Sequence, residues 1–287
     1  MSPSSSDQRP KLGIALGGGS AHGLSHIGVL RALEEQGLVP DVVAGTSIGA
    51  VIGAAYVFGK LAEVEAAARR VNWLEVFRLS DIQFGKNGLL GGNAIVREIR
   101  SYLGDATFAD AGRPFAVVAA DLIKDEEVVF RSGPVADAIR ASLSIPGIFS
   151  PVARDGRLLV DGGIKNPVPV SICREMGADV VVAVDVSGDR LAQGGLAGDT
   201  NREDFRPGMV EVLITTMAMV MKQLAHPRFL TNPPDVLIVP KVGHVRPYAF
   251  HRAPELIEAG RAAAIDAIAD IKVHLEAARK AKPDRDG

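Results

Sequence analysis

Ser47 stands between two glycines in Gly45-Thr46-Ser47-Ile48-Gly49, where the β-branched run "DVVAG" gives way to the alanine-rich "SIGAVIGAAYVFG". A G-x-S-x-G pattern at a strand-to-helix turn is the form of a nucleophile elbow, in which a sharp turn presents a serine hydroxyl at the positive end of a helix. A serine used in this way attacks an acyl carbon, and it needs a base and donors for the oxyanion that forms. A tight turn with Ser47 as a plain N-cap would use similar residues without any chemistry. The rest of the chain has to supply the partners.

The first apolar run, "KLGIAL", opens into Gly17, Gly18, Gly19, Ser20, Ala21, His22 and Gly23. Successive amides of a glycine-rich turn at a helix start make an anion site, fit for a pyrophosphate or for the oxyanion of a tetrahedral intermediate. A dinucleotide fold expects G-x-G-x-x-G and an acidic residue closing the second strand roughly 20 residues on. Here the third glycine, Gly23, falls one place late, Asp41 precedes the second strand, and that strand runs into Gly45-Thr46-Ser47. The nucleotide reading loses. In a parallel sheet the glycine turn and the elbow leave the same edge, side by side.

Six histidines are candidates for the base: His22, His26, His226, His244, His251 and His274. The first two precede the serine, and the other four follow no recognisable strand end. An ordinary α/β-hydrolase sets several strands before its elbow and orders its triad Ser, Asp, His, which this chain does not. The better partner lies in "RLLVDGGIKNP", where Asp161 ends a strand and Gly162 and Gly163 let the backbone turn around its carboxylate. With an unperturbed pKa of about 3.9, an Asp serves as the base for a serine only when partly desolvated.

Together, "LGGGSAHGLSHIGVL", "AGTSIGA" and "LVDGGIKNPVP", with "IRASLSIPGIFSPV" and "GADVVVAVDVS" adding to them, resemble the patatin-like phospholipase family over residues 11 to 275. The resemblance is to small single-domain bacterial members. It implies a three-layer α/β/α sandwich with a mostly parallel central sheet. It also implies a Ser–Asp dyad without histidine, and hydrolysis of lipid acyl esters with no metal or other cofactor. Carried over, Ser47 is the nucleophile and Asp161 the general base. The oxyanion hole falls to Gly18, Gly19 and Ser20, with Gly17 shaping the turn; Gly23, Gly45, Gly49, Gly162 and Gly163 are supporting positions. One departure is His22, where the family usually has Arg or Lys. The same residues would serve acyl transfer to an alcohol or thiol, and a non-catalytic nucleotide-binding module is the competing reading outside enzymes.

The elements that must position these residues can be read from the alternation of apolar runs. Strands are predicted at "KLGIAL", "DVVAG", "FAVVAAD", "EEVVF", "RLLVDGG", "DVVVAVDVS" and "DVLIVPKV". Helices are predicted at 22–37, 47–59, 61–71, 93–103, 134–143, 168–177 and 254–280. Runs such as Val180 to Val184 are apolar throughout, as in strands buried on both faces of a parallel sheet. No repeat and no linker divides the chain. Residues 1–9 read as a polar, disordered tail, 10–280 as one domain, and the Gly- and charge-rich 187–208 as a mobile excursion within it.

A net charge of −2 leaves no basic excess to hold a nucleic acid. Cys173 is the only cysteine, which rules out an intrachain disulfide and a cysteine metal cage and fits a reducing, cytoplasmic compartment. The run Leu12 to Leu16, only five residues long and already holding a glycine, is too short for a secretory h-region of about 7–15 and reads as a strand. Ile145, Pro146, Ile148 and Phe149 are candidates for an acyl pocket. The stretch 208–225, "GMVEVLITTMAMVMKQLA", holds four of the six methionines and has two readings. It is a core helix buried on most sides, or it is an adaptable apolar surface, with Met217 and Met221 outward, that meets lipid at a membrane face or a second copy in a homo-oligomer.

Overall fold

Strands and helices alternate along the chain in the computed structural model, which describes residues 9–70, 82–85, 88–90, 92–189 and 208–281. The strands are β1 (Leu12–Leu16), β2 (Val42–Thr46), β3 (Ile82–Gly85), β4 (Gly88–Leu90), β5 (Phe115–Asp121), β6 (Glu126–Phe130), β7 (Val152–Arg154), β8 (Arg157–Asp161), β9 (Val180–Val184) and β10 (Val236–Ile238). The helices are α1 (Ser25–Glu35), α2 (Ile48–Val57), α3 (Leu61–Arg70), α4 (Asn93–Leu103), α5 (Val135–Ser142), α6 (Val170–Glu175), α7 (Met209–Thr231) and α8 (Ala253–Ala281). Strands β10-β9-β1-β2-β5 pair in parallel in that order. Strands β6, β7 and β8 extend the sheet antiparallel at the β5 end, and β3–β4 form a separate two-stranded sheet.

Side chains on the parallel strands sort by parity. One set, including Ile14, Leu16, Val43, Phe115, Val117, Val182 and Val184, packs against Ile27, Leu30 and Leu33 of α1, Ile52 of α2 and Leu256 of α8. The other set, including Ala15, Ala44, Ala116 and Ala183, meets Val170, Ile172 and Cys173 of α6. Covering both faces gives a three-layer α/β/α sandwich, and it explains why these strands carry no polar alternation. The alanines let the short α6 lie close to the sheet. A larger residue there would overpack the layer, at a typical cost of about 1–3 kcal/mol.

One feature of the sheet decides where the candidate residues go. Strand β6 pairs with β5 residues Val117 to Asp121, overlapping both the β5 residues that pair with β2 (Phe115 to Val118) and those that pair with β8 (Ala119 to Asp121). One strand edge cannot serve two partners at the same residues, so β6 takes one edge while β2 and β8 share the other. They share it in sequence and run toward each other: Thr46 pairs with Val118 and Asp161 with Ala119. The C-terminal ends of β2 and β8 therefore abut.

Three details depart from the sequence expectations. Strand β7 and the β3–β4 pair lie outside the predicted set. Helix α7 runs past residue 225 and through Pro227 to Thr231; a proline removes one helical hydrogen bond, and here the next residue, Arg228, is anchored on Glu127 of β6 at 2.9 Å. Of the expected tail and excursion, residues 1–8 and 190–207 lie outside the described residues, while Arg9 is bonded to Asp41.

Candidate active site

Because β8 occupies the edge ahead of it, the chain after Thr46 has to leave the sheet at once. Ser47 makes that turn at φ 57°, ψ −125°, a conformation that costs a non-glycine residue energy and needs outside support. The support is specific. The Ser47 N–H donates to Ser142 Oγ at 2.7 Å, and Ser142 Oγ donates to the Val118 carbonyl at 2.6 Å. Thr46 Oγ1 donates to the Asn166 carbonyl at 2.8 Å, and the Ser47 carbonyl accepts from Ala50 at 2.9 Å to start α2. The flanking glycines are there for space: a Cβ on Gly45 would sit 2.5 Å from the Gly49 carbonyl oxygen, and one on Gly49 would collide with the Leu16 carbonyl oxygen. Both obstacles are backbone and cannot swing aside.

Asp161 ends β8 with its carboxylate aimed at the elbow. Ser47 Oγ donates to Asp161 Oδ2 at 2.6 Å, and the Gly163 N–H donates to Oδ1 at 2.8 Å. The Asp161 N–H is held by the Ser144 carbonyl at 2.9 Å. Asp161 is fully buried and Ser47 is 2% exposed. Burial pushes the Asp161 carboxyl up to about 6, with the bonds from Ser47 and Gly163 pulling the other way. The result is a carboxylate more basic than an ordinary Asp and in contact with a serine hydroxyl, an arrangement able to move a proton between them directly. His226, His244, His251 and His274 are exposed and stand apart from the pair; His244 bonds Glu255 at 2.6 Å.

The glycine turn lies against the same serine, with a correction to the expected donors. The Gly17 amide donates to the Val184 carbonyl and the Gly18 amide to the Pro167 carbonyl, each at 3.0 Å. Both hold the turn to its neighbours and are committed there. Among the described residues nothing accepts from the Gly19 or Ser20 amide, and both residues line a cavity with Ser47. Of the expected donors, those two amides are the ones left open beside Ser47. His22 and His26 are buried packing residues: Nε2 of His22 donates to the Val245 carbonyl at 2.6 Å and Nε2 of His26 to the Gly17 carbonyl at 2.8 Å. At position 22, then, a buried imidazole takes the place of the expected Arg or Lys.

The cavity over Ser47 measures about 20 Å³, little more than a water molecule needs, and Ile214, Met217, Ala218 and Met221 of α7 roof it. Met221 lies so close that a Cβ on Gly163 would overlap its Cε. Met217 and Met221 thus face the serine, which corrects the reading that turned them outward. Among the described residues, the exposed large apolar side chains of α7 are Met209, Val212, Met219, Val220 and, near its end, Leu230. Ile145 lines the cavity as expected, whereas Ile148 is buried in the interior.

Residues outside the sequence reading also shape the site. Ser142 had no signal beyond being a serine in a helical stretch. Asn166 is buried; its Nδ2 donates to Glu127 Oε1 at 2.9 Å, and Arg228 of α7 bonds the other Glu127 oxygen. Among the described residues no group of three or more His, Cys, Asp or Glu is placed to hold a metal ion, and no helix is long and apolar enough to cross a membrane.

Comparison with known proteins gives concordant matches. The family model described as patatin-like phospholipase matches residues 14–174. An uncharacterized NTE family protein of Mycobacterium tuberculosis is 38% identical over 179 residues, covering 62% of this chain and 50% of that protein. The human patatin-like phospholipase domain-containing protein 6 is 32% identical over 228 residues, covering 75% of this chain and 16% of that protein. The chain spans half or less of the length of these relatives. Among solved structures, VipD from Legionella pneumophila superposes with a TM-score of 0.51 at 14% identity, covering 93% of this chain and 67% of that one. At that identity the likeness concerns the fold.

Proposed function

The chain belongs to the patatin-like phospholipase family, and from that footing we propose that it is a serine hydrolase of lipid acyl esters working through a Ser47–Asp161 dyad. The observation that carries the reading is the 2.6 Å hydrogen bond from Ser47 Oγ to a buried Asp161 carboxylate, beside a glycine turn with two amides that have no acceptor among the described residues. Ser47 Oγ attacks the ester carbonyl carbon while Asp161 Oδ2 takes its proton. The oxyanion is held by the amides of Gly19 and Ser20. As the tetrahedral intermediate collapses, the C–O bond to the alcohol breaks and Asp161 returns the proton to the leaving oxygen. Water then attacks the acyl-serine, with Asp161 again accepting a proton, and the free acid and Ser47 are regenerated.

The apolar roof of Ile214, Met217 and Met221 supports an acyl chain as the group bound beside the serine. In the described state the cavity is too small for such a chain, so binding requires α7 to shift. The outward residues Met209, Val212, Met219 and Val220 are where we place peripheral contact with a lipid surface. The experiment is to offer phospholipids, lysophospholipids and short-chain p-nitrophenyl esters and to measure the fatty acid released. Release from at least one lipid class is expected. Products formed only when an alcohol acceptor is added would point to acyl transfer, and no turnover of any ester would overturn the reading.

A further inference from the structure

Three consecutive glycines make a turn that costs little to rearrange, because each can adopt most of backbone space and adjacent peptides can flip. Such a turn presents its amides in one direction only if the neighbouring peptides are pinned. The Gly17 amide is pinned by the Val184 carbonyl and the Gly18 amide by the Pro167 carbonyl, while the Gly19 carbonyl accepts from the His22 amide at 3.2 Å. Those clamps are all backbone. The Ala21 amide, donating to the Pro247 carbonyl at 2.8 Å, adds another backbone clamp, and one clamp is a side chain: Nε2 of His26 donates to the Gly17 carbonyl at 2.8 Å. The carbonyl of Gly17 and the amide of Gly18 belong to one peptide unit, so His26 and Pro167 grip that plane from opposite ends.

The Nδ1 of His26 is buried with no hydrogen-bond partner among the described residues, and the side chain is fully enclosed at the start of α1. Burial lowers the imidazole to about 4, so it is neutral at ordinary pH, and with Nε2 carrying the proton Nδ1 is an orphaned acceptor. An apolar side chain of similar size would fill the space without that orphaned nitrogen, but it would leave the Gly17 carbonyl without its donor. What the imidazole adds at this position is the bond to Gly17.

We propose that His26 is a positioning residue for the oxyanion turn: by holding the Gly17 carbonyl it prevents the Gly17–Gly18 peptide from flipping and keeps the Gly19 and Ser20 amides turned toward Ser47. The proposal rests on the esterase reading for its kinetic consequence, though not for its structural one. His26 touches neither substrate nor the reacting atoms. Its effect falls on stabilisation of the transition state and leaves binding of the ester ground state alone.

The test compares His26→Phe, which keeps a ring and loses the donor, with His26→Gln, whose amide can restore a donor to Gly17. On a p-nitrophenyl ester, His26→Phe should lower kcat roughly 10–100-fold with KM little changed, less than the roughly 10²–10³ lost when an oxyanion donor is removed outright, because the amides are loosened and not deleted. Affinity for a trifluoromethyl ketone, which adds to the serine as an oxyanion mimic, should fall by a similar factor, and His26→Gln should recover most of both losses. Amide hydrogen exchange across residues 17–20 reads the clamp without turnover: faster in His26→Phe, close to wild type in His26→Gln. If His26→Phe does not fold, His26→Met against His26→Gln makes the same comparison. A donor-free variant with wild-type kcat and exchange, or a Gln variant as impaired as the donor-free one, overturns the proposal. A wild-type protein that turns over no ester and ignores the ketone would sink the esterase reading instead, and the exchange measurement would still decide the clamp.

Discussion

Ser47 and Asp161 lie 114 positions apart in sequence, yet their side chains meet at 2.6 Å because β2 and β8 run head-on along one edge of β5. Val118 and Ala119, adjacent on β5, receive the last residues of the two strands. The serine is turned out of the sheet at that junction and the aspartate stops there, so their contact is a consequence of strand pairing and not of flexible loops. Sites carried on paired strands hold their geometry better than sites on loops.

Replacing the base should separate activity from stability. Asp161→Asn should lose about 10²–10⁴ in kcat, the range supplied by a positioned general base. Its effect on folding has the opposite sign. The Asp161 pKa is about 6 in the folded chain against 3.8 as the reference, so between those values the folded state holds a proton that the unfolded state releases. Stability from this group is therefore present at low pH and lost as pH rises through 4 to 6. Above pH 6 the buried charge destabilises by on the order of 1–3 kcal/mol. The asparagine variant should melt higher than wild type at pH 8, with the gap shrinking toward pH 4. A variant that melts lower at pH 8 contradicts this.

The same carboxyl should set the acid limb of the rate profile. A base acts only when deprotonated, so kcat/KM should rise with pH and level off above about 6, the value to which burial raises Asp161. A midpoint near an ordinary aspartate, about 4, would mean that the site is wetter than its burial implies.

Much of the site was legible in the residues because strand ends announce themselves. Gly45-Thr46-Ser47 and Asp161-Gly162-Gly163 both close apolar runs, and chemistry in α/β folds gathers at such ends. The antiparallel flank was harder to read. Asp155-Gly156 between β7 and β8, with φ of 49° and 71°, is a strong hairpin signal, but the strand before it is only three residues long and half exposed. The commitment of the Gly17 and Gly18 amides could not be read either, since their acceptors, Val184 and Pro167, come from distant segments. Nor could the facing of α7: it is apolar on nearly every side, so periodicity alone could not show that Met221 turns in and Met219 turns out.

The roof should control the acyl chain. Met221→Ala enlarges the cavity over Ser47, and it should raise the rate on medium-chain esters several-fold relative to short-chain ones while costing roughly 2–3 kcal/mol of stability. Chain-length profiles of the two proteins on a p-nitrophenyl series measure this. An unchanged profile would remove Met221 from the acyl path.

A dyad supplies its base from Asp161, so neither metal ions nor a distant histidine should matter. Turnover should survive EDTA and gain nothing from calcium, and alanine at His226, His244, His251 or His274 should change kcat/KM by less than about threefold. A reversible loss on chelation, or one histidine variant as inactive as Asp161→Asn, would require a different mechanism.

The most direct measurement is covalent. A fluorophosphonate probe should label the wild-type protein on the peptide containing Ser47, and Ser47→Ala should neither take the label nor hydrolyse a p-nitrophenyl ester, while keeping its far-UV circular dichroism and its melting temperature to within a few degrees. Labelling that persists in folded Ser47→Ala, or that maps to another serine in the wild type, would place the nucleophile elsewhere and contradict the dyad.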